Sequence, residues 1–215
     1  MDSLIGPEFY NNAAANHLSK TIQEDESIRV VAEIGASAGQ GSTSVITRAL
    51  ERREGAEFYP IEVSKGRMKH LLAFYRQAAF VHPVLGSTCS LAEFPTREEY
   101  ENDIARYKIT EYDVDTAMKV MEQDKAYLQV NQDIPTNALD RIPRELDLIF
   151  IDGSESLGFR ELLKVLPRMP RYIALNGTHV FKNARSMDLL DRSKDYECIA
   201  KLPVRNGYAM YRRRQ

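Results

Sequence analysis

The chain is short of several things. Of its 215 residues only two are cysteine, Cys89 and Cys198, and none is tryptophan. Two thiols outside any CxxC pair cannot build a disulfide framework or a zinc cluster, so a reducing, cytoplasmic setting is expected. Neither sign of charge dominates, with 29 Lys and Arg against 31 Asp and Glu and a formal net charge of −2. Such a balance gives no field to gather polyanions, which argues against nucleic acid or an anionic membrane surface as a partner. No window reaches the roughly 18 apolar residues of a membrane span. The first 27 residues are polar, with Asp2, Glu8, Glu24, Asp25 and Glu26, and show no export signal. Internal repeats and low-complexity tracts are missing too. What remains is 43% hydrophobic and 28% charged, an ordinary globular composition, and a single domain over 1–215 is expected to bury roughly 70% or more of its unfolded surface.

Short apolar runs alternate with amphipathic stretches, the pattern of an α/β chain. Ile28-Arg29-Val30-Val31-Ala32-Glu33-Ile34 reads as a buried parallel strand with an acid near its end, and it runs into Gly35-Ala36-Ser37-Ala38-Gly39-Gln40-Gly41. Ser42 or Thr43 is placed to cap the next helix, whose Val45, Ile46, Ala49 and Leu50 share one face. A strand over 57–63, a helix carrying Met68, Leu71, Leu72, Tyr75 and Ala79, and a strand over 81–85 follow. Leu146 to Ile151 and Tyr172 to Leu175 are strands four and five. Tyr196 to Leu202 and Tyr208 to Tyr211, joined at Asn206-Gly207, form a closing hairpin. Between strands three and four, Thr96-Arg97-Glu98-Glu99 opens a helical insertion with a capping-box pattern. Its residues 96–133 hold ten acidic and five basic side chains, a surface that repels phosphates. Tyr100, Tyr107, Tyr112 and Tyr127 read as helix-packing residues, with a lid as the alternative role of the segment. The expected architecture is a Rossmann-like, doubly wound, mostly parallel seven-stranded sheet with an antiparallel C-terminal hairpin and a helical insertion.

A glycine loop between strand and helix lets the backbone approach a ligand while the helix N-terminus presents free N–H groups. Dinucleotides, mononucleotides and S-adenosylmethionine can all use this position. A phosphate-cradling loop needs a lysine after its last glycine, but Gly41 is followed by Ser42-Thr43. The dinucleotide spacing GxGxxG, counted from Gly39, fails at Ser44.

What matches is Glu33-Ile34-Gly35-Ala36-Ser37-Ala38-Gly39, an acid two places before the first glycine and a second glycine four places later. This resembles motif I of class I S-adenosylmethionine-dependent methyltransferases, and Glu62 in Pro60-Ile61-Glu62-Val63-Ser64 matches the acid that ends their second strand. With Leu148 to Glu155 and Arg205 to Ala209, the resemblance covers roughly 28–94 and 146–212 and points to bacterial sugar and natural-product O-methyltransferases. It implies S-adenosylmethionine as cofactor, with Glu33 near the methionine amino group and the Gly35, Ala36, Ser37, Gly39 and Ser42 segment against it. Glu62 and Val63 would meet the ribose, Ser87 the adenine, and Asp152 the crevice between the halves. It divides the chain into a cofactor-binding half over 28–94, an insertion over 95–145 and a substrate-side half over 146–215. Relatives commonly carry Asp-Asp or Asp-Asn after strand five, where this chain has Asn176-Gly177. Asp152 and Asn176 then offer one charged and one neutral side chain, a poor set for a hard divalent cation, and no metal is expected.

The implied reaction passes a methyl group to a hydroxyl of a small molecule or glycan. Alignment can supply roughly 7–11 kcal/mol of such a barrier, and a base such as Asp152 or His179, beside Asn176, about 10²–10⁴-fold in rate. Plainer readings stand beside these: Glu33 satisfied by loop donors, Asp152 capping a helix near Leu157, and His179 a surface residue. Lys182, Asn183 and Arg185 read as a solvated helix start, and Arg212-Arg213-Arg214 as a solvated tail. A non-catalytic cofactor-binding protein and an NAD(P)-dependent oxidoreductase remain open as other classes. A homodimer through the insertion helices is open as well.

Overall fold

The computed structural model describes residues 12–111, 113–131, 133–204 and 206–214. The readings that involve Asp2, Glu8, Tyr112 and Arg205 lie outside these described residues. The strands are β1 (Val30–Ile34), β2 (Glu57–Glu62), β3 (Val84–Leu85), β4 (Leu148–Ile151), β5 (Tyr172–Asn176), β6 (Tyr196–Leu202) and β7 (Tyr208–Arg213). They form one sheet in the order β3-β2-β1-β4-β5-β7-β6. The first five run parallel, and β7 is antiparallel to both of its neighbours. The expected sheet is therefore present, hairpin included. β4 is buried along its whole length because Leu148 and Phe150 face one apolar layer and Ile149 and Ile151 the other. A strand covered on both faces has no polar side, which is why it reads as a continuous apolar run.

α1 (Ala13–Glu24), α2 (Ser42–Leu50) and α3 (Lys65–Phe74) cover one face, and α6 (Gly158–Val165) and α7 (Phe181–Asp191) the other. α1 is not among the expected elements, although its signals are in the sequence. The Asn12 side chain accepts from the Ala15 N–H at 2.8 Å, and Ala14, Leu18 and Ile22 recur every fourth residue as its buried stripe. β3 is shorter than its apolar run suggests: Val81 makes only an isolated bridge to Phe58, and pairing resumes at Val84. Pro83 lies between them and has no N–H to give the ladder. Among the described residues no helix is long and apolar enough to cross a membrane.

The insertion forms α4 (Arg97–Tyr107) and α5 (Val114–Val130), with the expected capping box at Thr96 and Glu99. It lies across the carboxyl ends of the strands. The sheet order reverses between β1 and β4, so those ends open a crevice there, the place where open α/β sheets bind ligands.

Gly207, at φ +87°, ties the hairpin to the loop after β5, because its carbonyl accepts from the Gly177 N–H at 2.8 Å. A Cβ at this position would crowd the Thr178 hydroxyl and stand 2.7 Å from the His179 ring. Gly207→Ala should therefore lower the unfolding free energy by more than about 1 kcal/mol in urea titration with the slope unchanged. Stability equal to wild type would show that this contact is not under constraint.

Candidate functional site

The loop after β1 is pinned on two sides. The Gly35 and Ala36 N–H groups both donate to the Ile61 carbonyl at 3.0 Å. On the other side Gly35, at φ +94°, lies so close to β4 that a Cβ there would stand 2.7 Å from the Asp152 carbonyl carbon. Only glycine fits both the dihedral and the gap. Glu33 is completely buried beneath the loop, and its carboxylate accepts from the Ser42 hydroxyl at 2.5 Å and the Thr43 hydroxyl at 2.7 Å. These two hydroxyls were expected to cap α2, but the N-cap is Gly41 and both side chains turn back to the strand instead. Burial pushes the Glu33 carboxyl up to about 8, and the nearby charges of Asp152 and Glu62 add to the effect of burial while the hydroxyl donors oppose it.

Glu62 ends β2 at the same edge of the sheet and is also buried. It accepts the Ser64 N–H at 2.7 Å, and the Ser37 and Val63 N–H groups also point to it. Burial raises its pKa against these donors and against Arg67. Ser37 itself sits at φ +52°, a left-handed position rare outside glycine. Ser87 occupies its hydroxyl locally, donating to the Cys89 carbonyl at 2.7 Å. The insertion closes over this region. Lys65, at the start of α3, reaches Asp133 at 2.6 Å, and Arg67 lies over the Tyr127 ring at 5.3 Å.

At the end of β4 the Asp152 Oδ1 accepts from Asn176 Nδ2 at 2.9 Å and from Lys182 Nζ at 2.8 Å. Asp152 and Asn176 thus meet as the sequence suggested, and Asp152 does not cap α6. Lys182 and Asn183 correct another expectation: neither is solvated. The first turn of α7 tucks under the strand ends, where Asn183 Nδ2 donates to the Asn176 carbonyl at 2.7 Å. Lys182 also pairs with Glu155 at 3.0 Å. Burial by itself would lower its pKa, but Asp152 and Glu155 outweigh that and hold it well above the usual lysine range. Beside them Glu161 is buried on α6 and raised to about 7, mainly by burial, and its Oε2 has no hydrogen-bond partner among the described residues. Glu161 was not singled out from the sequence, yet a charged residue within the apolar stripe Leu157, Leu162 and Val165 was a visible signal. Asp124 of α5 joins the group by accepting from the Ser154 hydroxyl at 2.5 Å.

His179, on the loop after β5, is exposed. It lines a cavity of about 370 Å³ with Tyr107, Asp188 and Asp191. None of Asp152, Asn176 and Lys182 lines that cavity. The acidity of the insertion turns partly inward. Glu99 meets Arg160 at 2.6 Å and Arg185 at 3.6 Å, and Tyr100 stacks on Phe181 with centroids 3.9 Å apart.

No protein-family model matches the chain, and no curated protein matches it. Solved structures do. An O-methyltransferase from Bacillus cereus in complex with S-adenosylhomocysteine is 15% identical, with a TM-score of 0.56 over 95% of this chain and 82% of that one. A methyltransferase of Podospora anserina bound to S-adenosylhomocysteine is 13% identical, with a TM-score of 0.57 over 94% of this chain and 78% of the other. TomG of Streptomyces achromogenes, an O-methyltransferase involved in tomaymycin synthesis and crystallised with S-adenosylmethionine, is 13% identical, with a TM-score of 0.56 over 97% and 83%. At these identities the likeness is one of fold, the Rossmann-like fold that these methyltransferases also have.

A carboxyl whose pKa rises on folding from 4.5 to about 8 binds its proton more tightly in the native state, so its contribution to stability is present below 4.5 and is lost as pH rises through about 8. Thermal unfolding should show stability falling across this window, and Glu33→Gln should flatten the decline. An equal slope in wild type and variant would contradict the burial argument.

Proposed function

We propose that this chain binds S-adenosylmethionine across the carboxyl ends of β1 and β2 and transfers its methyl group to a hydroxyl of a small molecule or glycan held at Asp152. The observation that carries the reading is the meeting of the Gly35–Gly41 loop, the Glu62 carboxylate and Asp152 at one crevice of a class I methyltransferase fold. The donor set suits an adenosyl group, because an acceptor-only carboxylate stands beside a backbone that a flat ligand can approach closely.

The cofactor, when bound, supplies a methyl group already activated on a sulfonium. The chain has then to align and to accept a proton. Glu62 takes the ribose hydroxyls; a carboxylate has roughly four acceptor positions, and three N–H groups already point to it, so two hydroxyls require the Ser37 contact to be released. Glu33 acts one step away, fixing the start of α2, and with it the loop, to β1. Asp152 stands where the acceptor would enter, with its side chain 20% exposed. Both donors go to Oδ1, which leaves Oδ2 to take the acceptor's proton. His179 lines a cavity that none of Asp152, Asn176 and Lys182 lines, so Asp152 is the better placed of the two to take this proton.

Titration calorimetry with S-adenosylhomocysteine should show binding to the wild type. Glu62→Ala should weaken it roughly tenfold or more, as expected when a charge-assisted hydrogen bond worth about 1.5–3 kcal/mol is lost. Asp152→Asn should keep most of that affinity and slow formation of S-adenosylhomocysteine, over a panel of hydroxyl acceptors, by roughly 10²-fold or more. Preference for NAD over S-adenosylhomocysteine in the wild type would overturn the reading. Binding without turnover on any acceptor would identify a non-catalytic binding protein.

A further inference from the structure

Among the described residues Lys182 is the only lysine or arginine that is buried. Its surroundings explain why the chain keeps a charge there. Asp152 and Glu155 come from the segment after β4, and Glu161 comes from α6. The ammonium lies 2.8 Å from Asp152 Oδ1, 3.0 Å from Glu155 Oε1 and 3.5 Å from the Asp152 carbonyl oxygen. The Lys182 charge also acts on Glu161, one of whose oxygens lacks a hydrogen-bond partner among the described residues. Carboxylates and a backbone carbonyl converging on one point are the ligands a hard divalent cation takes. The spacing here is different: metal–oxygen distances run from about 2.0 to 2.6 Å, and these oxygens stand at N–H···O distances around a nitrogen. Asn176, which could offer an oxygen to a metal, presents its amide nitrogen to Asp152.

We propose that Lys182 is the built-in cation of the acceptor site: its ammonium occupies the point where the carboxylates of Asp152 and Glu155 converge, holds Asp152 facing the crevice, and makes a divalent cation there neither needed nor admissible. Lys182 is a positioning residue, because its N–H groups go to Asp152 and Glu155 and its side chain is only 6% exposed. The position explains both the depth of the lysine and the orphaned Glu161 oxygen, since a single positive charge is shared among more carboxylates than it can contact. Burial raises the Glu161 pKa to about 7, so near neutral pH this carboxyl is partly protonated and carries less charge than an ordinary carboxylate. The inference rests on the methyl-transfer reading only in calling this the acceptor site.

The test is titration with Mn²⁺ alone, followed by electron paramagnetic resonance and by thermal unfolding, on full-length wild type, Lys182→Ala, Lys182→Gln and Lys182→Arg. Wild type and Lys182→Arg should bind no Mn²⁺ tightly and should melt at the same temperature with Mn²⁺ or with chelator. Lys182→Ala and Lys182→Gln uncover the carboxylates and should gain Mn²⁺ affinity by roughly 10–100-fold, a typical span for a change around a metal site, with Mn²⁺ raising their melting temperature. A folded Lys182→Ala or Lys182→Gln that gains no Mn²⁺ affinity would overturn the proposal. Should neither fold, the wild type decides, because a melting temperature raised by Mn²⁺ would overturn the proposal and an unchanged one would support it. Since no cofactor is added, failure here is separate from failure of the methyl-transfer reading, which the binding of S-adenosylhomocysteine measures.

Discussion

Carboxylates gather at the carboxyl edge of this sheet, and a buried carboxylate must be hydrogen-bonded, paired or protonated. That constraint organises the surrounding structure. Glu33 is satisfied by two hydroxyls and a raised pKa, which locks the start of α2 to β1. Glu62 collects backbone N–H groups from its own turn and from Ser37, and this fixes the loop above β1 against the end of β2. Asp152 is matched by Asn176 and Lys182, which draws the first turn of α7 beneath the strand ends. Each solution ties a loop to a neighbouring strand, so the crevice at the sheet's reversal is shaped by the means that keep its acids in place.

The insertion completes this edge. Docked through Glu99 on Arg160, Tyr100 on Phe181, and Asp133 on Lys65, it spans from the end of β2 to α7. Of its acidic residues Glu99, Asp103 and Asp133 pair with bases of α3, α6 and α7, while most of the others stay exposed, so the segment keeps an acidic outer surface as well as covering this edge. Ion pairs with exposed partners are individually weak. The cover rests more on its apolar contacts, where Tyr100, Met121 and Leu128 pack with Phe94 and Leu157.

The sheet was legible in the sequence because its strands are apolar runs bounded by glycine, proline or acid, and period and burial agree. The hairpin was legible through Asn206-Gly207, and the glycine loop and Glu62 through their spacing. What was not legible depended on long-range contact. Ser42 and Thr43 read as helix caps because the competing acceptor, Glu33, is nine or ten residues away and its orientation is set by the sheet. Lys182 read as solvated because nothing in its neighbourhood along the chain announces Asp152 and Glu155 as partners about thirty residues earlier. His179 reads together with Asp152 because both follow strands at the same edge, whereas in the structure it packs beside Gly207 of the hairpin and lines a cavity that Asp152 does not.

The central claim is that Glu62 at the end of β2, with the loop that Glu33 fixes to β1, frames a place for an adenosyl group. A crystal structure of the chain grown with S-adenosylhomocysteine tests it most directly. The account predicts ligand density over the 35–41 loop, with the ribose hydroxyls on Glu62 and the sulfur directed toward Asp152. Ligand seated in the cavity beside His179, or a ribose with no contact to Glu62, would contradict it.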